Sequence, residues 1–420
     1  MKIIGIDIGT TSVCGVVVNS RNGKVEKSRT ENSNAFITDC NPFEKIQSVE
    51  RIVNLATDIL TSLMDEEVSA IGVTGQMHGI VYTDSEGMAV SPLYTWQDGR
   101  GNLPYGDSTY AEFMGSCSGY GAVTDFYNQE NGIRPESAMD YCTIHDYFVM
   151  KLCSLKAPVI HDTDFASFGK GAVCNHGKVV SGFALAGNYK GIPVAVAIGD
   201  NQASVFSTLA DEQNILLNVG TGSQISLISP VPIEADNIET RPYFDGKYLA
   251  VGASLCGGRA YSLLKDFYKL VLSYKAAVSD DEVYGIMAKM LTSEISPLDV
   301  DTRFEGTRAD KSITGSVAGI TESNFKPESL TYGVLKGMCR ELYDMYCSMN
   351  VEKCGLVGSG NGIRKNKALV GITEEMFGYR LKIPCHVEEA ACGAALYAGV
   401  AAGIFKDSKQ AHSIIKYEDR

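Results

Sequence analysis

Two short stretches far apart in the chain, DIGTTS at Asp7 to Ser12 and NVGTGS at Asn218 to Ser223, can be laid over one another. Each sits between apolar runs. IIGIDIG leads into the first turn and VCGVVVN leaves it, with Asn19 to Gly23 turning the chain again toward KVEKSRT; NILLN and SQISLIS flank the second. Strand, turn and strand in this order predict an antiparallel meander in both places. A single Gly-Thr turn is an ordinary hairpin, so the constraint comes from the pair. A chain that opens twice in the same way is expected to fold as two domains of one design. Its 420 residues exceed what one ordinary core takes up. The boundary falls near 199 to 213, giving domains 1–205 and 206–420.

The turns have a chemistry of their own. Glycine lets backbone N–H groups approach an anion, and Thr or Ser hydroxyls add donors, a combination that suits phosphate. Thr10, Thr11 and Ser12 in the first turn, and Gly220, Thr221 and Gly222 in the second, are the candidates. Asp7 closes an apolar strand beside the first turn, where it can hold magnesium together with phosphate oxygens. A third glycine-rich segment, LVGSGNGIRKNKALVGITEEMFG from Leu356 to Gly378, reads as a strand, a loop and a helix with Leu369, Ile372, Met376 and Phe377 on its apolar face. A base or ribose can lie against Gly360, with Asn361 and Asn366 as hydrogen-bonding partners; an ordinary strand-helix loop is the alternative. The chain contains no G-x-x-x-x-G-K-[ST] loop.

In IPVAVAIGDNQAS, Ile192 to Ser204, a run that reads as a strand buried on both faces ends at Asp200, and a helical pattern follows. Asp200 is there either to cap the helix or to work as an acid or base at a buried strand end. Upstream, AIGVTGQMHGIVYTD predicts a strand, a turn exposing Gln76, Met77 and His78, and a second strand. Gln and His can hydrogen-bond hydroxyls and Met can wall a carbon chain, although a packed core His and Met would look the same. YTWQDGRG then brings Trp96, the sole tryptophan, with Asp98 and Arg100. Aromatic ring, carboxylate and guanidinium suit a polyol; a structural Asp-Gly loop is the plainer reading.

The formal charge of -13 and pI near 5.0 argue against nucleic acid as a partner. The opening MKIIGIDIGTTS is neither a signal peptide nor a membrane span, and a cytoplasmic protein with no membrane partner is expected. Twelve scattered cysteines without C-x-x-C spacing, and six histidines without H-x-x-x-H, predict neither a disulfide framework nor a metal cluster.

Taken in order, GIDIGTTS, GQMHG, TWQDGR, GDNQAS, NVGTGS and GSGNGIRKN resemble the motifs of the FGGY family of carbohydrate kinases. TWQDGR, SGYG, TIHDY and GASLCGG resemble its sedoheptulokinase branch more than its xylulokinases, which share GQMHG. Gly169 to Ile192 is shorter than the corresponding stretch of the family. The resemblance implies an α/β, two-domain, actin-like or ribonuclease H-like ATPase fold with a cleft between the domains. It implies ATP and Mg2+ as cofactors, Asp200 as general base, Asp7 with Asp200 at the metal, and a sugar pocket formed by Gln76, Met77, His78, Trp96, Asp98, Arg100 and Asn201. The expected reaction is transfer of the γ-phosphoryl of ATP to the terminal hydroxyl of a ketose, with sedoheptulose or a pentulose such as xylulose as acceptor. A non-catalytic ATP switch of the same superfold is the rival class. A homodimer is left open.

Overall fold

The chain packs into two units, and each is assembled from separated pieces of sequence. The computed structural model describes residues 1–291, 296–307 and 310–419. One unit comprises Met1–Ala210, Arg241–Lys247 and His386–Lys416; the other comprises Asp211–Thr240, Tyr248–Cys385 and Tyr417–Arg420. A single cut at 205/206 differs from this packing, because two segments of the second half of the sequence return to the first unit.

The first unit is built on a seven-stranded sheet. Its spatial order is Leu185–Tyr189, Ile192–Ala195, Val68–Gly75, Lys2–Ile8, Ser12–Asn19 and Val25–Asn32, with the short strand Ile198–Gly199 also on Val68–Gly75. Lys2–Ile8 runs antiparallel to Ser12–Asn19 and parallel to Val68–Gly75, so that Ile8 lies beside both Val13 and Gly75. Ile3, Ile4, Ile6 and Ile8 are all buried, as a strand covered on both faces requires. The helix Val49–Leu63 covers one face. Ser48 caps it by accepting from the Arg51 N–H, and Ile52, Ile59, Leu60 and Leu63 are buried along it.

The helix Glu389–Ala401, rich in Ala and Gly, covers the opposite face, and three glycines set how close it comes. A Cβ at Gly5 would lie 1.8 Å from Ala391 O, one at Gly72 1.9 Å from Ala394 O, and one at Gly393 1.8 Å from Ala203 O. The helix is therefore wedged between the sheet and the helix Asp200–Thr208, backbone against backbone. This packing brings the carboxyl ends of Lys2–Ile8, Val68–Gly75 and Ile198–Gly199 together, the end of a parallel array where ligands bind.

The second unit repeats the arrangement. Its sheet runs Ile238–Pro242, Tyr248–Ser254, Ser223–Ser229, Asn214–Val219, Gly355–Ser359 and Leu381–Lys382. Asn214–Val219 is antiparallel to Ser223–Ser229 and parallel to Gly355–Ser359, matching the first sheet strand for strand. Its core joins Ile215, Leu217, Ile225 and Leu356 of the sheet to Leu335 and Leu342 of the helix Pro327–Ser348. The helix expected after GSGNG spans Lys367–Phe377 and buries Leu369, Ile372 and Phe377. No described helix is long and apolar enough to cross a membrane.

Candidate active site

In the first unit, Asp7 and Asp200 emerge at the gathered strand ends. Asp200 is the first residue of its helix, and Gly199 holds the cap position without a side chain to cap with. Asp200 thus lies one residue inside the helix rather than at the cap position, its carboxylate accepting from the Asn201 N–H and its charge favouring the helix dipole. Asp7 Oδ1 is buried and has no hydrogen-bond partner. Burial pushes the Asp7 carboxyl up to about 7, and the charge of Asp200 adds to the rise. Burial also raises Asp200, against the opposing pull of His145 and Arg241.

Behind this pair lies a buried His145, with Nε2 3.1 Å from Asp164 Oδ1, at ion-pair distance but off hydrogen-bond alignment. Burial works against charging the imidazole. Asp164, Asp146 and Asp200 outweigh it and raise His145 to about 9. Its positive charge, when present, offsets the raised pKa of both Asp7 and Asp200.

The turn Gly75 to Gly79 carries the next group. His78 has φ 73, a left-handed conformation rare outside glycine, and its ring stacks on Tyr120 at 4.2 Å. His78 N donates to Ser167 Oγ, and Nδ1 lies 2.7 Å from Ser167 O. Since a carbonyl only accepts, Nδ1 carries the proton in this contact, and Nε2 is an acceptor in the neutral ring. Met77 is buried with its sulfur against Gly199, next to Asp200. Gln76 faces inward: its Oε1 accepts from Thr10 at 3.3 Å and its Nε2 donates to Gln47 Oε1 at 3.0 Å. Trp96, 45% exposed, donates from Nε1 to Thr10 Oγ1 at 2.9 Å. Thr10 therefore ties the first glycine turn to the GQMHG and TWQDGR loops, while Thr11 is exposed and Ser12 opens the following strand.

Asp98 and Arg100 differ from the expectation of direct sugar contacts. Both are buried, at 1% and 0% exposed. Arg100 Nε donates to Asp98 Oδ1 at 2.6 Å, Nη1 donates to Asn128 Oδ1, and the guanidinium lies 4.2 Å over the Tyr94 ring. The other Asp98 oxygen accepts from Lys45 N at 3.0 Å. A carboxylate and guanidinium engaged in this way stiffen the loop that presents Trp96. Asn201, one residue beyond Asp200, lies 3.5 Å from Arg241 Nη1.

In the second unit a cavity of about 960 Å3 is lined by Gly220, Thr221, Tyr261, Asn361 and Asn366, among others. Gly222 and Gly360 shape its walls from outside the lining. Gly220 N donates to Gly222 O, closing the turn, and Gly360, at φ 82, abuts Val219 O. The turn rests on Gly258, where a Cβ would come 2.1 Å from Gly220 O. Asn366 caps the helix Lys367–Phe377, its Oδ1 accepting from Ala368 N and Leu369 N. The volume suits a nucleotide-sized ligand.

The profile of the FGGY family of carbohydrate kinases, N-terminal domain, matches residues 2–103, and that of its C-terminal domain matches residues 215–402. The chain belongs to the FGGY family of carbohydrate kinases. It is 29% identical to the sedoheptulokinase of Mus musculus over 472 aligned positions, covering 94% of this chain and 96% of that protein. Among solved structures, the gluconate kinase from Lactobacillus acidophilus superposes with a TM-score of 0.83 at 19% identity, covering 100% of this chain and 92% of that one. A ligand-bound xylulose kinase from the same organism gives 0.81 at 19% identity, covering 100% and 93%. Both share the two-domain actin-like fold.

For this FGGY kinase the fit to magnesium rests on its donors. Asp7 Oδ1 is a buried oxygen without a protein partner, and Asp200 adds a second carboxylate to the same field. Among the described residues no group of three or more His, Cys, Asp or Glu is arranged to hold a metal alone. A few hard oxygens short of a full cage are what magnesium takes when phosphate and water complete its shell. The sequence reading gave no role to His145, Asp164 or Arg241. TIHDY had only marked a likeness, and nothing near Arg241 in the chain hints at its neighbours.

Proposed function

We propose that this sugar kinase phosphorylates a ketose at its terminal hydroxyl, converting sedoheptulose to sedoheptulose 7-phosphate. The observation that carries the reading is the carboxylate of Asp200, at the first residue of its helix and held at the strand ends beside Asp7. The sedoheptulokinase likeness, spanning nearly the whole of both chains, supports the choice of sugar.

In this reading Asp200 orients the acceptor hydroxyl and takes its proton, a contribution on the order of 10²- to 10⁴-fold. The raised pKa of Asp200 makes it a better base than an exposed carboxylate. Met77 and the exposed face of Trp96 wall the carbon chain, and His78 Nε2 accepts from a sugar hydroxyl. Asp98 and Arg100 hold the loop that carries Trp96. ATP is taken by Gly220, Thr221, Asn361 and Asn366, which line the cavity of the second unit. Asp7 and Asp200 would hold magnesium, which supplies charge neutralisation for the phosphate oxygens when bound. Because phosphoryl transfer passes through a loose transition state, alignment and charge are most of what the protein must provide.

A coupled assay of ADP release with sedoheptulose, xylulose, ribulose and glycerol tests the reading. Sedoheptulose should give the highest kcat/KM. A clear preference for xylulose moves the protein to the pentulose kinases, and a flat response to all four acceptors returns it to a nucleotide switch.

A further inference from the structure

Arg241 opens a seven-residue strap, Arg241–Lys247, that belongs to the first unit although its neighbours in sequence belong to the second. The strap is fastened at three points. Gln202 Nε2 donates to Pro242 O at 3.2 Å, Phe244 is buried against Phe183, Phe206 and Tyr397, and Ser408 donates to the Asp245 carboxylate at 2.7 Å. A side chain on a segment held this firmly is positioned before any ligand arrives.

The Arg241 side chain reaches Asn201, the residue next to the acid. It is 9% exposed, with Nη1 3.5 Å from Asn201 Oδ1 and 3.9 Å from Met77 Sδ. The same Met77 sulfur packs on Gly199, so guanidinium, thioether and the Asp200 helix start share one corner of the unit. The positive charge of Arg241 acts on the Asp200 carboxylate.

We propose that Arg241 is a specificity-determining residue that reads a neutral polyhydroxylated acceptor, donating N–H groups to hydroxyl oxygens next to the one Asp200 activates. The inference rests on the reading of the chain as a ketose kinase and adds a residue and a charge preference to it. A guanidinium is a planar fork of five donors without an acceptor, and two vicinal hydroxyl oxygens match two of its N–H groups. Met77 covers the carbon atoms between those oxygens. Neutrality follows from the charges present: Asp200 already answers Arg241, and a carboxylate on the acceptor would add a negative charge beside Asp7 and Asp200 in a poorly solvated corner.

The test compares wild type, Arg241→Met and Arg241→Lys. Kinetics are measured with sedoheptulose, xylulose and gluconate, and the same acceptors are titrated calorimetrically without nucleotide. Wild type should bind a ketose and disfavour gluconate. In Arg241→Met the Kd and KM for the ketose should rise on the order of 10- to 100-fold, as for a lost charged hydrogen bond, while KM for ATP stays within about two-fold. Arg241→Lys, which keeps the charge but not the fork, should fall between them. A merely structural role would lower the melting temperature and move both substrates together.

An unchanged ketose Kd in folded Arg241→Met overturns the inference, as does a wild-type preference for gluconate. Should the Met variant fail to fold, the Lys variant decides by the same ketose Kd. Wild type that binds and turns over no acceptor brings down the kinase reading and the inference with it; active wild type matched by its variants brings down the inference alone.

Discussion

The two β-meanders share one frame and end in different chemistry. Asp7 lies beside Thr74 of its parallel neighbour, and Asn218 occupies the matching place beside Ser359. Asn218 Nδ2 donates to Ser359 Oγ at 2.9 Å, whereas Thr74 turns its hydroxyl away to Ile198 O and leaves Asp7 Oδ1 without a partner. The amide is neutral at every pH and is tied to the sheet. The carboxylate keeps an unspent oxygen and a charge that burial makes costly. One backbone plan thus gives a strand end suited to a cation and another suited only to shaping a turn. The difference lies in one atom of one side chain and in where the neighbouring hydroxyl points.

If the first unit carries the chemistry and the second holds the nucleotide, substitutions should divide the same way. Asp200→Asn should lower kcat on the order of 10²-fold or more with no loss of melting temperature and near-normal KM for ATP. Near-normal kcat would remove the acid from the mechanism and break the comparison at its centre. Gly258→Ala places a methyl group against Gly220 O and must displace the second turn. KM for ATP should rise on the order of ten-fold while the ketose Kd, measured without nucleotide, holds. Loss of ketose binding would mean that the two units do not divide the work.

The smallest effect sharpens the Asp7/Asn218 contrast. With its pKa raised from 3.8 to about 7, Asp7 favours the folded state in its protonated form. The stability this contributes is full below about pH 4 and is lost as pH climbs through about 7. Asp7→Asn lacks the charged form, so its melting temperature in metal-free buffer should gain on wild type across that window, by on the order of a few degrees above pH 7. Asp200, His145 and Glu388 all act on the same carboxyl. Repeating the series in Asp200→Asn should shrink the gain, since the neighbouring charge that adds to the rise is gone. A flat difference between pH 4 and 8 would show that Asp7 is ordinary.

What was readable in the sequence was local. The glycine turns, the buried strand ahead of Asp200 and the order of six motifs are written in adjacent residues, and they led to the family and to the paired sheets. Contacts made over long distances in the chain were hidden. Asp98 and Arg100 look the same in sequence whether a loop turns them out to a sugar or in toward Asn128 and Tyr94, and the structure turns them in. His145 and Asp164 meet only because the helices Ile144–Cys153 and Asp162–Ser167 pack under the strand ends. Arg241 reaches Asn201 across 40 residues of sequence, most of them in the other unit. A strand-Asp-helix junction read alone favours a cap at Asp200, and only the backbone angles show that Gly199 holds the cap position instead.

The wedge formed by Glu389–Ala401 also bears on how the protein is made. The strand Lys2–Ile8 leaves the ribosome long before the helix that must press against Gly5 and Gly72. The second unit, drawn almost wholly from residues 211 to 385, has its sheet in hand before that helix exists. Synthesis therefore inverts the usual order of domain completion, and the first unit waits, with one apolar face bare, for the segment that closes it.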